Sequence, residues 1–236
     1  NDNLEITAID IGQGDSLFIR TPTNKTVLVD ARSGNLISQK IGELFEGRKC
    51  SIDLAVATHS DKDHIEGFID LIDYCQIKSI FINKSLEKKG PWLKLKEKIA
   101  AHKIVNFAVS KGAEIILDEV ILKILWPPNM SEETGKSNNS SISILVEYCG
   151  FKLLDMGDLP TQEEETLAKN INQDINVLKI SHHGSKFSTS NSFLQLIRPE
   201  DSIISAGKNN SYNHPSNEVL EKLTAHNVSI FRTDIS

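Results

Sequence analysis

Between Thr58 and Gly67 the chain reads Thr-His-Ser-Asp-Lys-Asp-His-Ile-Glu-Gly, which sets His59, Asp61, Asp63 and His64 within six positions. The run follows Asp53-Leu54-Ala55-Val56-Ala57-Thr58, an apolar stretch that predicts a buried strand. Four such groups at the end of a buried strand cannot go inward unpaired, because isolated interior charge is very costly, whereas a divalent cation satisfies them together. Side chains alternate along an extended segment, so His59, Asp61 and Asp63 begin on one side, and a turn at His64 brings the fourth ligand round. The pattern suits one cation on His59 and Asp61 and a neighbour on Asp63 and His64, as in two-metal sites that hydrolyse phosphate esters and amides. The competing expectation is a polar loop that caps a helix starting near Ile65, with Asp63 as its N-cap.

A length of 236 residues suits one large domain, residues 1–236, with a sizeable core. Ordinary hydrophobic and charged contents argue against disorder or a fibrous repeat. No apolar stretch approaches the ~20 residues that span a bilayer, and the start, Asn1-Asp2-Asn3-Leu4, is no signal peptide, so a soluble chain is expected. A first residue other than Met and a last segment just past a strand predict a domain excised from a longer protein. A net charge of -6 argues against coating nucleic acid by bulk electrostatics, yet bound dications reverse the sign of an acidic pocket, so a nuclease stays open. Cys50, Cys75 and Cys149 are an odd set without CxxC spacing and are expected as buried thiols, with no disulfide framework.

Alternation in Leu4–Ile11, Ser16–Arg20 and Thr26–Asp30, with Gly- and Pro-containing joins, predicts a three-stranded antiparallel meander. Asp10 and Asp15 near its first turn are candidates for a site rim, and Asp15 equally suits a turn cap. A helix over Leu36–Phe45, the strand Ile52–Thr58, a helix from about Ile65 to Tyr74 and the strand Ile77–Ile82 predict a parallel pair joined by a right-handed crossover. Pro91 opens a helix whose lysines, with Lys88 and Lys89 before it and Lys94, Lys96 and Lys98 on it, read as a solvated face. Hairpins follow over Glu114–Leu125 and Ser141–Asp155, with a polar loop at 129–139 between them. Asp158 lies just past the strand Phe151–Leu154 beside Gly157 and is the candidate bridging carboxylate, with Asp155 second and a helix N-cap as the alternative role. Ile175–Ile180 is a buried strand that ends in Ser-His-His-Gly-Ser. Adjacent histidines after a strand should point apart, one of the His182–His183 pair to metal and the other to substrate. Helices over Asn191–Ile197 and Asn217–Thr224 and strands over Ser202–Ser205 and Val228–Phe231 complete an α/β chain, with His102 and His226 on helix surfaces. The similar rhythm of its halves predicts two sheets face to face with helices outside.

These residues resemble the metallo-β-lactamase superfamily. Its His-x-His-x-Asp-His signature appears here with Asp61 in the second place. Within it, Ile9–Ser16, Leu154–Leu159, Val177–Ser185 and Ser205–Asn210 leading to His214-Pro215 are similar to the C-terminal domain of ComEC-type competence proteins. The resemblance implies a four-layer αβ/βα sandwich of two mixed sheets. It also implies a dinuclear site of His59, Asp61, Asp63, His64, the bridging Asp158 and His182, with His183 facing substrate. The third histidine of the usual first metal site has no counterpart, and Asn138 or Asn139 is expected to fill that space. It implies a metal-dependent deoxyribonuclease, outside the cytoplasm if part of a competence membrane protein and cytoplasmic if free-standing. Two dications, Zn²⁺ or Mn²⁺ by ligand type, would generate the nucleophile. Asp63 and His183 are then candidates for the chemistry, with Lys208 and His214, and Ser185, Asn209 and Asp15 for holding substrate. The alternatives are esterase action on a small phosphoester, such as a cell-wall decoration, and a metal-free binding module.

Overall fold

In β2 (Leu17–Arg20) and β3 (Thr26–Val29) successive side chains are buried on opposite faces, Phe18 and Leu28 on one, Leu17, Ile19, Val27 and Val29 on the other. β4 (Ser51–Ala57) repeats this, with Ala55 and Ala57 opposed to Leu54 and Val56. Strands apolar on both faces need a layer on each side. The computed structural model supplies both, and describes residues 3–32, 34–83, 90–128, 137–171 and 173–235.

One sheet runs β1-β2-β3-β4-β5-β6, with β1 (Glu5–Ala8) to β3 antiparallel and β3, β4, β5 (Gln76–Asn83) and β6 (Val105–Val109) parallel. The other reverses the rhythm in space. β7 (Glu114–Leu117), β8 (Val120–Trp126), β9 (Ser143–Tyr148) and β10 (Phe151–Asp155) are antiparallel neighbours, and β10, β11 (Val177–Lys179), β12 (Asp201–Ile204) and β13 (Ser229–Arg232) are parallel. Leu17, Leu54, Val56 and Phe81 meet Val120, Leu122, Ile144 and Leu153 between the sheets. α1 (Asn35–Leu44), α2 (Lys62–Tyr74) and α3 (Pro91–Ala101) contribute to the core on the first sheet's outer face; α4 (Thr161–Ala168), α5 (Asn191–Ile197) and α6 (Asn217–Ala225) to that on the second's. The four-layer αβ/βα sandwich with two mixed sheets is therefore present.

Several expectations change. Cys50 and Cys75 form a disulfide and Cys149 is exposed, so none of the three is a buried free thiol. The two bridged cysteines lie just before the paired residues Ser51 and Gln76 of neighbouring parallel strands, a closeness that spacing in sequence cannot reveal. β6 is a strand that the sequence reading did not include. α2 starts at Lys62, with Asp61 rather than Asp63 at its N-cap, and β4 stops at Ala57, so strand alternation does not order the ligand run. The N-cap of α4 is Pro160, which removes that role from Asp158. Lys94 and Lys96 are exposed on α3 and Lys98 pairs with Asp73, whereas Lys88, Lys89 and residues 129–136 of the polar loop lie outside the described residues. Among the described residues no helix is long and apolar enough to cross a membrane.

Candidate metal centre

The parallel strands of both sheets end at one edge, and the loops that leave them carry the polar residues, the usual place for a site in α/β sheets. From the first sheet come Asp30 after β3 and the Thr58–His64 run between β4 and α2; from the second, Asp158 after β10, Ser181–His183 after β11 and Ser205 after β12. Gly67 lets α2 approach, because a Cβ there would lie 2.4 Å from the Arg32 carbonyl oxygen. The Gly67 and Ala31 amides then donate to Ala31 and His64 carbonyls, at 2.7 Å each, which locks the ligand run against the end of β3.

Asp158, 3% exposed, is at the middle. Its Oδ2 lies 3.4 Å from His64 Nε2, 3.6 Å from His59 Nε2 and 3.9 Å from His182 Nε2. His59 Nε2 is 3.8 Å from Asp61 Oδ2, and His183 Nε2 is 3.4 Å from Asp63 Oδ2. The second ring nitrogens of His59, His64 and His183 are tied. His64 Nδ1 donates to Asp30 Oδ2 at 2.7 Å, and His183 Nδ1 to the Ser205 carbonyl at 3.1 Å. The Thr58 hydroxyl donates to Asp30 Oδ2 at 2.6 Å, which leaves its oxygen to accept from His59 Nδ1 at 3.0 Å. Since a carbonyl and an ionised carboxylate only accept, each Nδ1 carries a hydrogen, and Nε2 is the ring atom each histidine would turn to a cation. The Nε2 atoms of His59, His64 and His183 and Oδ1 of Asp158 are buried with no hydrogen-bond partner. Orphaned buried acceptors facing one another are the donor set a cation needs. Two sets of side chains, Asp15, His64, Asp158, His183 and Asp30, His59, His64, each bring ligand atoms within 4.8 Å of one another.

Charge balance points the same way. Asp15, Asp30, Asp61, Asp63 and Asp158 gather here with the buried ammonium of Lys179, so with the imidazoles serving as neutral ligands four negative charges would be left for two dications to balance. Burial would raise the Asp158 pKa, but His64 and His183 hold it well below the usual carboxylate range. Burial likewise opposes charge on His64, and the carboxylates of Asp158 and Asp30 reverse that, raising its pKa well above the ordinary imidazole value. His59 moves down, through burial and the charge of His64.

The structure sorts the sequence candidates. His59, Asp61, Asp63, His64, Asp158 and both His182 and His183 converge. The histidine pair does not point apart, because both residues adopt left-handed backbone (φ 50 and 56) after β11 ends, which turns both rings to the same cleft with centroids 6.1 Å apart. His183 is buried, and the His182 side chain is 33% exposed. Asp15, expected to touch substrate at the rim, is buried and paired with Lys179 at 2.5 Å. Asp10 is exposed and accepts from the Gly12 amide. Asp155 is buried, accepts from the Gly157 amide, and is raised by burial to about 7. His214 stands beside both histidines, 5.7 Å from His182 and 6.3 Å from His183 between ring centroids. Burial and those neighbours push it down to about 4, so it is neutral near pH 7. Ser185 and Asn209 line the adjoining cleft with His214, and Lys208 is exposed outside that lining. Asn139 turns away to Glu163, whereas Asn138 meets Ser137, which also donates to Asp61 at 2.7 Å. His102 and His226 sit at helix C-caps away from the cluster.

Two important residues carried no role in the sequence reading. Asp30 is a single acid at the end of a strand, the signal that singled out Asp158. Lys179 is a lysine inside the apolar run Val177–Ile180, a position too costly to bury without a paired acid.

Comparison with known proteins follows the same lines. The chain is 32% identical to "ComE operon protein 3" of Bacillus subtilis (strain 168) and 30% identical to "Competence protein ComA" of Neisseria gonorrhoeae, with 98% of this chain covered in each case. It spans 32% and 31% of their lengths, about a third of those relatives. Among solved structures, the metallo-beta-lactamase fold protein YhfI from Bacillus subtilis superposes with a TM-score of 0.68 at 10% identity, covering 98% of this chain and 97% of that one. CmlA, a diiron beta-hydroxylase from Streptomyces venezuelae, shares the fold at a TM-score of 0.65 and 12% identity, over 98% of this chain and 53% of its own. The profile described as the Metallo-beta-lactamase superfamily matches residues 9–208, and the chain belongs to that superfamily.

Proposed function

We propose that the chain hydrolyses phosphodiester bonds in DNA at a pair of divalent cations, Zn²⁺ or Mn²⁺. The observation that carries this reading is the convergence of three unpartnered Nε2 atoms, of His59, His64 and His183, around the Asp158 carboxylate. His59 and Asp61 would hold one cation, Asp63, His64 and His183 the other, with Asp158 between them. This exchanges the roles expected for the histidine pair. The buried His183 has its tautomer set for metal by the Ser205 carbonyl, and the more exposed His182 faces the cleft.

Bound there, two cations supply hydroxide near neutral pH and neutralise charge on the phosphate. The protein's part is to hold and to aim. Asp30 fixes His64 directly and His59 through Thr58, so each ring keeps its Nδ1 on the protein and its Nε2 aimed at the site. His214, neutral and with an unpartnered Nδ1, can accept a proton or a hydrogen bond at the mouth. DNA as substrate is supported by "Competence protein ComA" of Neisseria gonorrhoeae and by "Recombination protein 2" of Haemophilus influenzae, the latter 26% identical over 98% of this chain and 28% of its own length. A small phosphoester is the second reading, favoured by acidic residues Glu218, Glu221 and Asp234 in the cleft lining, which repel a polyanion. A metal-free binding role is disfavoured by the uncompensated carboxylates.

The test is cleavage of labelled single- and double-stranded DNA and of a simple phosphodiester, with Mn²⁺ and with Zn²⁺. DNA cleavage that disappears in Asp63→Ala is expected. Cleavage of the simple ester alone would remove the nuclease reading, and no cleavage of any substrate would remove hydrolysis altogether.

A further inference from the structure

Beside the metal centre lies a cleft of about 900 Å³, lined by Ser185, Phe187, Asn209, Tyr212 and His214 among others. Its volume is at the upper end of ligand-sized sites, ~300–1,000 Å³. Two aromatic side chains stand on its walls largely in water, Phe187 68% exposed and Tyr212 67% exposed. A single exposed ring is ordinary, but two that line one cleft among polar side chains offer flat apolar faces to whatever enters it.

The backbone beneath each ring is held. Phe187 follows the His182–His183 turn by four residues, and its carbonyl accepts from the Thr161 amide at 3.1 Å and the Thr161 hydroxyl at 2.9 Å. Tyr212 sits on a loop pinned by Asn210, whose side chain accepts from the Tyr212 and His214 amides at 3.1 and 3.0 Å and donates to the Gly207 carbonyl at 2.9 Å. Gly207 is docked on the first turn, where its amide donates to Gln13 Oε1 at 3.1 Å and a Cβ would lie 2.5 Å from Gln13 N. The Tyr212 ring is stacked on His214, 25° between planes and 5.7 Å between centroids, and His214 in turn neighbours His182. A chain of rings therefore runs from the cleft to the metal centre. Lys186 lies 5.2 Å from the centre of the Phe187 ring, the cation beside this ledge.

We propose that Phe187 and Tyr212 are stacking ledges for the bases of a single nucleic-acid strand whose scissile phosphate lies at the metal centre; this rests on the nuclease reading above. The charge of the cleft decides between modes of recognition. Glu218, Glu221 and Asp234 line it too, so the walls do not attract phosphates, whereas bases offer neutral π-faces. Stacking on aromatic side chains contributes roughly 1–3 kcal/mol per base and tolerates any sequence. It also requires bases that are not already stacked in a duplex.

Binding of a fluorescein-labelled oligothymidylate, followed by anisotropy, tests the assignment. Phe187→Ala and Tyr212→Ala should each weaken binding by about 5- to 100-fold, and Phe187→Trp and Tyr212→Trp should keep it. An oligomer of abasic sugar-phosphates should bind the parent protein and the alanine variants alike. Alanine variants that bind oligothymidylate as tightly as the parent would overturn the ledges. So would a loss that persists on the abasic oligomer, a failure of tryptophan to restore binding, or no binding by the parent. Cleavage measured on the same samples separates the two readings: binding that needs both rings without cleavage in Mn²⁺ or Zn²⁺ sinks hydrolysis of DNA and leaves the ledges standing.

Discussion

Asp30 controls which nitrogen two of the histidines present. Its Oδ2 accepts from His64 Nδ1 and from the Thr58 hydroxyl. In Asp30→Asn an amide nitrogen can face His64, and two donors cannot share that space, so the ring would turn its hydrogen to Nε2. Metal affinity should fall by about 10- to 100-fold, read by competition with a chelating dye; unchanged affinity would deny Asp30 this orienting part. Glu164 tests burial away from the candidate metal centre. It is fully buried, accepts from the Thr189 amide, and burial raises its pKa to about 8. Because the folded pKa lies above that of the unfolded chain, the folded state keeps a proton that the unfolded state loses. Stability therefore falls as pH rises from the ordinary glutamate range through about 8. Glu164→Gln should flatten that fall, leaving melting near pH 5 unchanged and raising it near pH 8.5; parallel profiles for both proteins would refute it. The candidate cluster from His59 to His64 was legible because its polar residues are contiguous after an apolar strand. The order within the His182–His183 pair was not, since it depends on a left-handed turn rather than on strand alternation.

The element most open to misreading was the pair β4 and β5. Their parallel pairing follows from strand, helix, strand, but not the bridge at their starts, where Cys50 and Cys75 close a loop across a sequence separation of 25. Chain entropy gives a bridge of this span about 3–4 kcal/mol of stability. Cys50→Ser with Cys75→Ser should lower Tm by several degrees and leave the candidate metal centre intact, since the bridge lies at the start of β4, whose opposite end leads into the His59–His64 run. Equal Tm values, or free thiols at both positions after oxidative folding, would contradict this. β6 escaped sequence reading for a different reason. Val105, Asn106 and Phe107 are all exposed on an edge strand, so its apolar pattern does not report a buried face. Helix boundaries also shifted where polar residues served two purposes, as at the start of α2, whose first turn holds Asp63 and His64.

At the scale of the molecule, two sheets of similar rhythm meet across one apolar layer, and each delivers half of the site from the ends of its parallel strands. That symmetry was visible in sequence as repeated strand and helix spacing. The closure of the site was not, because Asp158 and His183 are more than ninety positions from the run they join. On the proposed reading a net charge of -6 is no obstacle to an anionic substrate, since two bound cations would make the acidic pocket positive where a phosphate would lie. The decisive measurement is anomalous diffraction at the manganese edge from crystals soaked in Mn²⁺. Two peaks about 3.5–4 Å apart, both against the Asp158 carboxylate and one against His183 Nε2, are predicted. Density free of any peak between Asp158 and the Nε2 atoms of His59 and His64 would contradict the account.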